Sequence, residues 1–417
     1  GEFQWGVNSG TISIGLEKQK YGGVATDMSG NIYAASTYYG PTKVGSSTLT
    51  NSGSDDIYVA RYSPTGTFVW AKNFGGDGYD RVSDITVTRD NLIYITGDFS
   101  SNTLTIGSNT LTYSASSYSM GFDCYNVFVA QMTSSGGVTW AHQTTGNTRA
   151  MCIAADGADN VYVGGVIRND TVTFGGHYVM ANNNNPYLLK YTANGDFDRV
   201  WPFTQTVHAA NPDHAIWDLT VDLCGNVWVA GGMDTVTGNG IFLDTTIVLP
   251  LPQSPVDPLF VAGYTPSGNL LAYKRINSGG RSNSGLAADH MGNLYLCGYY
   301  DGAATLHVGY DTLEGMSGAY KIAFTAKYAT GIMCAASVAE AGNDEAGVTL
   351  FPNPVEDVLT ITGLNTATDV HITDVTGKTV LRQHIPAGNG TIATDKLLPG
   401  MYLVRLNDTV VRKFIKN

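Results

Sequence analysis

Charge is what this 417-residue chain has least of: Asp, Glu, Lys and Arg make up 14% of it, against about a quarter in ordinary soluble domains. The 35 acidic residues outnumber 23 basic ones, giving a net charge of −12. Such a field repels a nucleic-acid backbone or an anionic bilayer, so no nucleic-acid partner and no membrane insertion are expected. No apolar run is long enough to span a bilayer. The longest, 241–251, is broken by Asp244 and two threonines. No charged-then-apolar leader stands before Phe3, so either a signal peptide has been removed or the first residues are a fusion scar. Cysteine is scarce and odd in number (Cys124, Cys152, Cys224, Cys297, Cys334), with no CxxC pair. That disfavours a zinc site, and Cys152 and Cys297, inside apolar strand patterns, read as small buried hydrophobes.

Catalytic patterns are missing too. No GxSxG elbow occurs, and 280–285, which is superficially close, has no helix after it and reads as a loop. The hairpin Ser63–Trp70 resembles an Asp box, but Thr65 stands where the Asp would be, and arginines are few and scattered. The acidic pairs Asp55-Asp56, Asp77 with Asp80, and Asp196 with Asp198 fall in loops, where solvated carboxylates are ordinary. Eight histidines show no HxH or HExxH spacing. The expectation is no catalytic residue, no metal site and no cofactor. Structural calcium at the Asp-x-x-Gly-Asn turns of Asp27, Asp222 and Asp289 is the weaker reading, because Asp and Asn also stabilise turns by their own side chains.

What the chain does have is 50 Gly, 24 Tyr and many Thr, Ser and Asn, the residues of pleated strands and tight turns. They are arranged in five copies of one unit. Segments GNIYAAS, DNLIYITG, DNVYVGG, GNVWVAGG and GNLYLCG carry Asn31, Asn91, Asn160, Asn226 and Asn293, at intervals of 60, 69, 66 and 67 residues. Each copy has an alternating strand before this anchor, a short second hairpin such as TLTIGSNTLT after it, and a third hairpin such as IYVARYSPTGTFVWAK. Four antiparallel strands at a fixed period describe a propeller blade, and the inserted hairpin explains a period longer than a minimal blade. The expected fold is all-β: a five-bladed β-propeller over 1–336. Phe3-Gln4-Trp5-Gly6-Val7 matches Phe68-Val69-Trp70-Ala71-Lys72, the last strand of a copy, without strands of its own before it. It reads as an outer strand that latches the ring; the alternative is that Met333-Cys334-Ala335 finishes the last blade.

Residues 337–347 are small, acidic and unpatterned, and read as a linker. Seven short strands follow over 348–417, the pattern of a small Ig-like β-sandwich. Here Leu350-Phe351-Pro352-Asn353-Pro354, Asp374-Val375-Thr376-Gly377-Lys378, Leu398-Pro399-Gly400-Met401-Tyr402 and the basic end Arg412-Lys413-Phe414-Ile415-Lys416 stand in order. In that order and spacing they resemble the type A C-terminal sorting domain of the type IX secretion system of Bacteroidota. The resemblance implies a sorting signal borne by Pro352, Asn353, Pro354, Asp374, Gly377, Gly400, Tyr402, Lys413 and Lys416. It also implies the secretion translocon and its outer-membrane shuttle protein as partners, and a cell-surface or extracellular location after signal-peptide removal. Cleavage would fall in the linker. The repeats resemble, less tightly, bacterial β-propeller repeat proteins.

Asp-Thr tripeptides at Thr171, Thr235, Thr245, Thr312 and Thr409 resemble the O-glycosylation acceptor pattern of the same bacteria. The function expected is non-enzymatic: binding, adhesion or structural display at the surface, with a glycan or surface protein as ligand. The rival is a polysaccharide-active hydrolase or lyase on the same scaffold.

Overall fold

In a computed structural model the described residues are 22–416 without 115–123, 169–170, 181–184, 206–214, 233–240, 245–246, 250–258, 277–284, 290–291, 302–305, 309–310, 314–320, 331–347, 375–377 and 408–409. The 3–7 and 333–335 segments and the 337–347 linker therefore lie outside them. The chain divides into two compact units, Gly1–Cys334 and Ala335–Asn417. Every regular element among the described residues is a strand.

The first unit is a five-bladed β-propeller. Blade 1 runs Gly22–Thr26, Ile32–Tyr38, Asp56–Tyr62, Phe68–Phe74, all antiparallel and hydrogen-bonded in chain order. Blades 2, 3 and 4 repeat it from Asp80 to Gln143, Thr148 to Pro202 and Ala215 to Ile276. Among the described residues blade 5 contributes Gly285–Ala288, Asn293–Asp301 and Lys321–Ala329, again antiparallel and in chain order. A short hairpin sits between the second and third strands of every blade, Thr42–Val44 with Ser47–Leu49 being the first; in blade 4 Thr204–Gln205 adds a third strand to it.

Period-2 alternation puts apolar side chains on both faces of each blade, and neighbours cover them. Between blades 1 and 2 the packed set includes Tyr33, Ile57, Val59, Val82 and Ile85. The next interfaces are built the same way around Tyr94 and Ile153, around Tyr162 and Leu219, and around Trp228 and Leu286. Each fully covered aliphatic side chain contributes about 1.5–3 kcal/mol. The two faces left over differ. Val24, the counterpart of Ile85, is 68% exposed, and Tyr295, the counterpart of Tyr33, is 39% exposed. Cys297, expected to be buried, is exposed because it stands two residues along the same face; Cys152 is buried as expected.

The anchors turn out to be one repeated Asx turn. In blade 1 the Asp27 carboxylate accepts the N–H of Ser29 and of Asn31, the Asn31 side-chain amide and the Tyr33 hydroxyl. Asp156 does this with Ala158, Asn160 and Tyr162, and Asp222 with Cys224, Asn226 and the Trp228 indole. Asp289 does it with Asn293 and Tyr295. Burial opposes ionisation of Asp27, but these donors hold its pKa below the ordinary carboxylate value. Gly30, Gly225 and Gly292 occupy the left-handed position of the turn. Blade 2 corrects the sequence alignment: Asn91, at φ 61°, fills the glycine position and Leu92 the Asn31 position. Aligned on Tyr33, Tyr94, Tyr162, Trp228 and Tyr295, the steps become 61, 68, 66 and 67 residues.

The second unit is a small β-sandwich. One sheet orders Thr349–Phe351, Val358–Leu364, Gly388–Ala393; the other orders Thr379–Ile385, Thr368–Asp374, Gly400–Leu406, Val410–Lys416. Its core is aliphatic, with Val355, Leu359, Ile361, Val370, Ile372, Ile392 and Val404 beside Phe414.

Candidate functional site

In the sandwich, the residues singled out from the sequence gather mostly on the last strand. Asn353 accepts the Ile415 N–H at 2.8 Å, and Val355 donates to the Ile415 carbonyl at 2.7 Å. The Pro352-Asn353-Pro354 segment thus clips onto the outer edge of Val410–Lys416, the last strand of its sheet. Tyr402 stacks on Phe414 with ring centroids 5.5 Å apart, and its hydroxyl donates to the Leu398 carbonyl. Gly400 pairs with Lys416, and Lys413 with Leu403. Partial burial lowers the Lys413 pKa. Asp374 is elsewhere: its carboxylate accepts the Lys378 N–H and closes the hairpin to Thr379–Ile385. Gly377 lies outside the described residues.

In the propeller, one end of blades 1 to 3 collects charge that the sequence had shown only as scattered arginines. Arg81 and Asp98 are cross-strand partners in blade 2, and Arg149 holds the equivalent place in blade 3. Arg81 Nε bonds the Asp55 carboxylate at 2.8 Å. The Tyr125 ring lies between two guanidinium groups, 5.8 Å from Arg81 and 4.7 Å from Arg149. Asp98 accepts the Ala150 N–H of the next blade. Burial pushes the Asp98 pKa up to about 6, against the pull of Arg149, the Ala150 N–H, Arg168 and Arg81. Toward solvent, Arg81 packs under the ring of Tyr79, 5.1 Å away, and Tyr79 is 44% exposed. Tyr39, just past the second strand of blade 1, is 63% exposed.

Beside this cluster lie two carboxylates with no solvent exposure, Asp56 and Asp80. Asp80 accepts the Gly76 N–H at 2.6 Å and the Ser101 hydroxyl at 2.7 Å, while Asp56 accepts the Ser52 N–H. Burial raises both, Asp80 to about 7, with the Asp56 charge adding to the rise. Of the acidic pairs flagged in the sequence, Asp77 binds the Asn102 backbone and side chain. Asp198 pairs with Lys190 at 2.7 Å. These carboxylates brace loops and strands. The Asx-turn carboxylates face N–H and O–H donors, so their oxygens are engaged as anionic acceptors. Thr171 is exposed at the start of a hairpin strand, and Thr312 lies on the strand Asp311–Leu313. Thr235, Thr245 and Thr409 lie outside the described residues.

Fold and tail together define an exported all-β repeat protein. Residues 349–417 match the family described as secretion system C-terminal sorting domain: the sandwich is a type IX sorting domain. A tail of this kind directs its protein through the type IX system to the cell surface or extracellular space. No helix among the described residues is long and apolar enough to cross a membrane. Among curated proteins, the chain is 23% identical to an uncharacterized WD repeat-containing protein of Acanthamoeba polyphaga mimivirus. The match covers 76% of this chain, which spans 27% of that relative's length. Several solved structures are weakly similar, among them the following two. PorZ, a surface component of the type IX secretion system of Porphyromonas gingivalis, is 14% identical at TM-score 0.23, covering 96% of this chain and 60% of that one. An ulvan lyase of a polysaccharide lyase family is 11% identical at TM-score 0.39, covering 95% and 90%.

Proposed function

We propose that the propeller is a surface-displayed binding module, without catalysis of its own, that presents the Tyr39, Tyr79 and Arg81 end of blades 1 to 3 to a glycan or surface-protein ligand. The observation that carries this reading is Tyr79. It is an exposed ring held from beneath by a guanidinium that is itself fixed by Asp55 and Tyr125. A rigid aromatic face costs little ordering entropy when a sugar ring or an apolar side chain settles on it. The strongly shifted carboxylates beside it, Asp80 and Asp98, are buried and already accept backbone N–H groups, which suits bracing rather than proton transfer to a substrate. The sorting-signal roles of Pro352, Asn353, Pro354, Tyr402, Gly400, Lys413 and Lys416 belong to the same reading, with the translocon and its shuttle protein as partners. So does threonine glycosylation at Thr171.

The test is a glycan array and a cell-binding assay with the intact chain and with Tyr79→Ala. Binding that falls roughly tenfold or more in the variant, about 1.4 kcal/mol, with no change in ligand size after incubation, is the expected result. Shortened or unsaturated saccharide products would instead support a polysaccharide-active enzyme.

A further inference from the structure

A carboxylate can be buried where each of its oxygens finds a donor, and the Asx-turn acids meet that condition. Asp56 and Asp80 do not. Asp56 opens the third strand of blade 1 and Asp80 the first strand of blade 2, and both are fully buried. One oxygen of each is engaged, that of Asp56 by the Ser52 N–H and that of Asp80 by the Gly76 N–H and the Ser101 hydroxyl. The other, Oδ1 in both, is buried and accepts nothing among the described residues. Nor does any Lys, Arg or His among them pair with either acid.

The two acids meet across one stretch of glycine backbone. Asp80 takes the N–H of Gly76, while a Cβ on Gly75 would fall 2.3 Å from the Asp56 carboxylate. A Cβ on Gly76 would strike the Thr103 carbonyl, and one on Gly53 the Gly76 and Gly78 carbonyls at 2.5 and 2.7 Å. The loops around Gly53 and Gly75–Gly78 therefore close backbone against backbone beside the pair. The next junction shows the same place without charge. Asn126 stands for Asp56 and Thr148 for Asp80, the Thr148 N–H donating to the Tyr125 carbonyl as the Asp80 N–H does to Asp55. These side chains are as buried, yet partnered: the Asn126 amide donates to the Thr144 carbonyl, and the Thr144 and Thr148 hydroxyls bond each other. Blade geometry alone does not call for two carboxylates.

Two ionised carboxylates side by side in a dry junction cost more than packing returns unless a positive charge joins them. A proton offsets the charge, but on either Oδ1 it would make a hydroxyl donor with no acceptor. A cation offsets the charge and engages both open oxygens. We propose that Asp56 and Asp80 hold a calcium ion between blades 1 and 2, with backbone carbonyls of the glycine loops and water completing an all-oxygen set of the kind this hard cation takes. The ion fastens the first strand of blade 2 to the third strand of blade 1, one residue along the chain from Tyr79. Without the ion the pair falls back on a proton. A protein carried to the cell surface or beyond meets the calcium levels at which extracellular sites fill, with dissociation constants of about 10⁻⁴–10⁻³ M.

The test is urea unfolding of the full chain in EGTA and in calcium chloride, at a slightly alkaline pH where both carboxyls release their protons. The native chain is compared with a double variant, Asp56→Asn with Asp80→Asn, whose amides bring the neutral chemistry of the next junction. Calcium at about ten times its measured dissociation constant should lower the unfolding equilibrium constant of the native chain about elevenfold and leave the double variant unchanged. No response in the native chain, or an equal response in both, would overturn the proposal. Hydrogen exchange on the native chain alone reads the location whether or not the variant folds. Calcium should slow exchange in the 52–56 and 76–80 segments; no slowing, or slowing only in other segments, counts against the site.

Discussion

Asp80 should make this protein lose stability as the pH rises, and Asp80→Asn should remove the loss. In the folded chain its carboxyl is raised from 3.8 to about 7, mainly by burial and with the Asp56 charge adding to it. Between those values the folded state holds a proton that the unfolded state has released. Stability therefore declines as pH climbs from about 4 to about 7 and stays low above that. A rise of some three units, at about 1.4 kcal/mol each, amounts to roughly 4 kcal/mol. Asparagine stays neutral, and its carbonyl oxygen keeps accepting from Gly76 and Ser101, so the variant lacks this slope. Asp98 titrates in both proteins and cancels in the comparison. Urea unfolding followed by tryptophan fluorescence, which reports the propeller because the sandwich contains no Trp, is run at about pH 4 and about pH 8 on both chains. The variant should gain roughly 4 kcal/mol over the native chain between the two conditions. Parallel pH profiles would refute the argument that Asp80 is a buried acid held at the junction of blades 1 and 2.

Trp70→Phe keeps an aromatic ring, though a smaller one, and removes the indole N–H that donates to the Ser134 carbonyl; it should cost about 1 kcal/mol or more in the same unfolding assay. Gly263→Ala places a methyl 2.4 Å from the Trp228 ring, which is fully buried. A loss of about 1–3 kcal/mol, read as a lower urea midpoint, is expected. Asn353→Ala removes the acceptor of the Ile415 N–H and should loosen the last strand, visible as faster amide exchange at 411–416 with the propeller amides unchanged.

Much of the propeller was legible because its physics is local and repeated. The Asx turn needs Asp, a left-handed residue, Asn and an aromatic donor at fixed offsets, and four blades write it out in full. Blade 2 misled the alignment by one residue because Thr88 and Leu92 replace the Asp and Asn there, and Asn91 can adopt the left-handed turn that glycine usually fills. Its Tyr94 hydroxyl, left without the carboxylate, donates to the Asp159 carbonyl of blade 3 and accepts from Gln131. The charged cluster was not legible. Arg81 and Arg149 are 68 positions apart and meet around Tyr125 and Asp98 because one blade repeat separates them. Cys297 read as buried because its strand alternates properly; its exposure is a property of the junction, which no single strand encodes. In the sandwich, motif order identified the tail, but the clip of Asn353 on Ile415 joins residues 62 apart and needed the fold.

The most direct test of the account is where the protein goes. The full chain and a chain ending at residue 348 are expressed in a bacterium that has a type IX system, and whole cells are treated with an external protease and labelled with antibody to the propeller. The account predicts that the full chain is labelled and cleaved at the surface or recovered from the medium, while the shortened chain stays protected inside the outer membrane. Equal display of the two would contradict it.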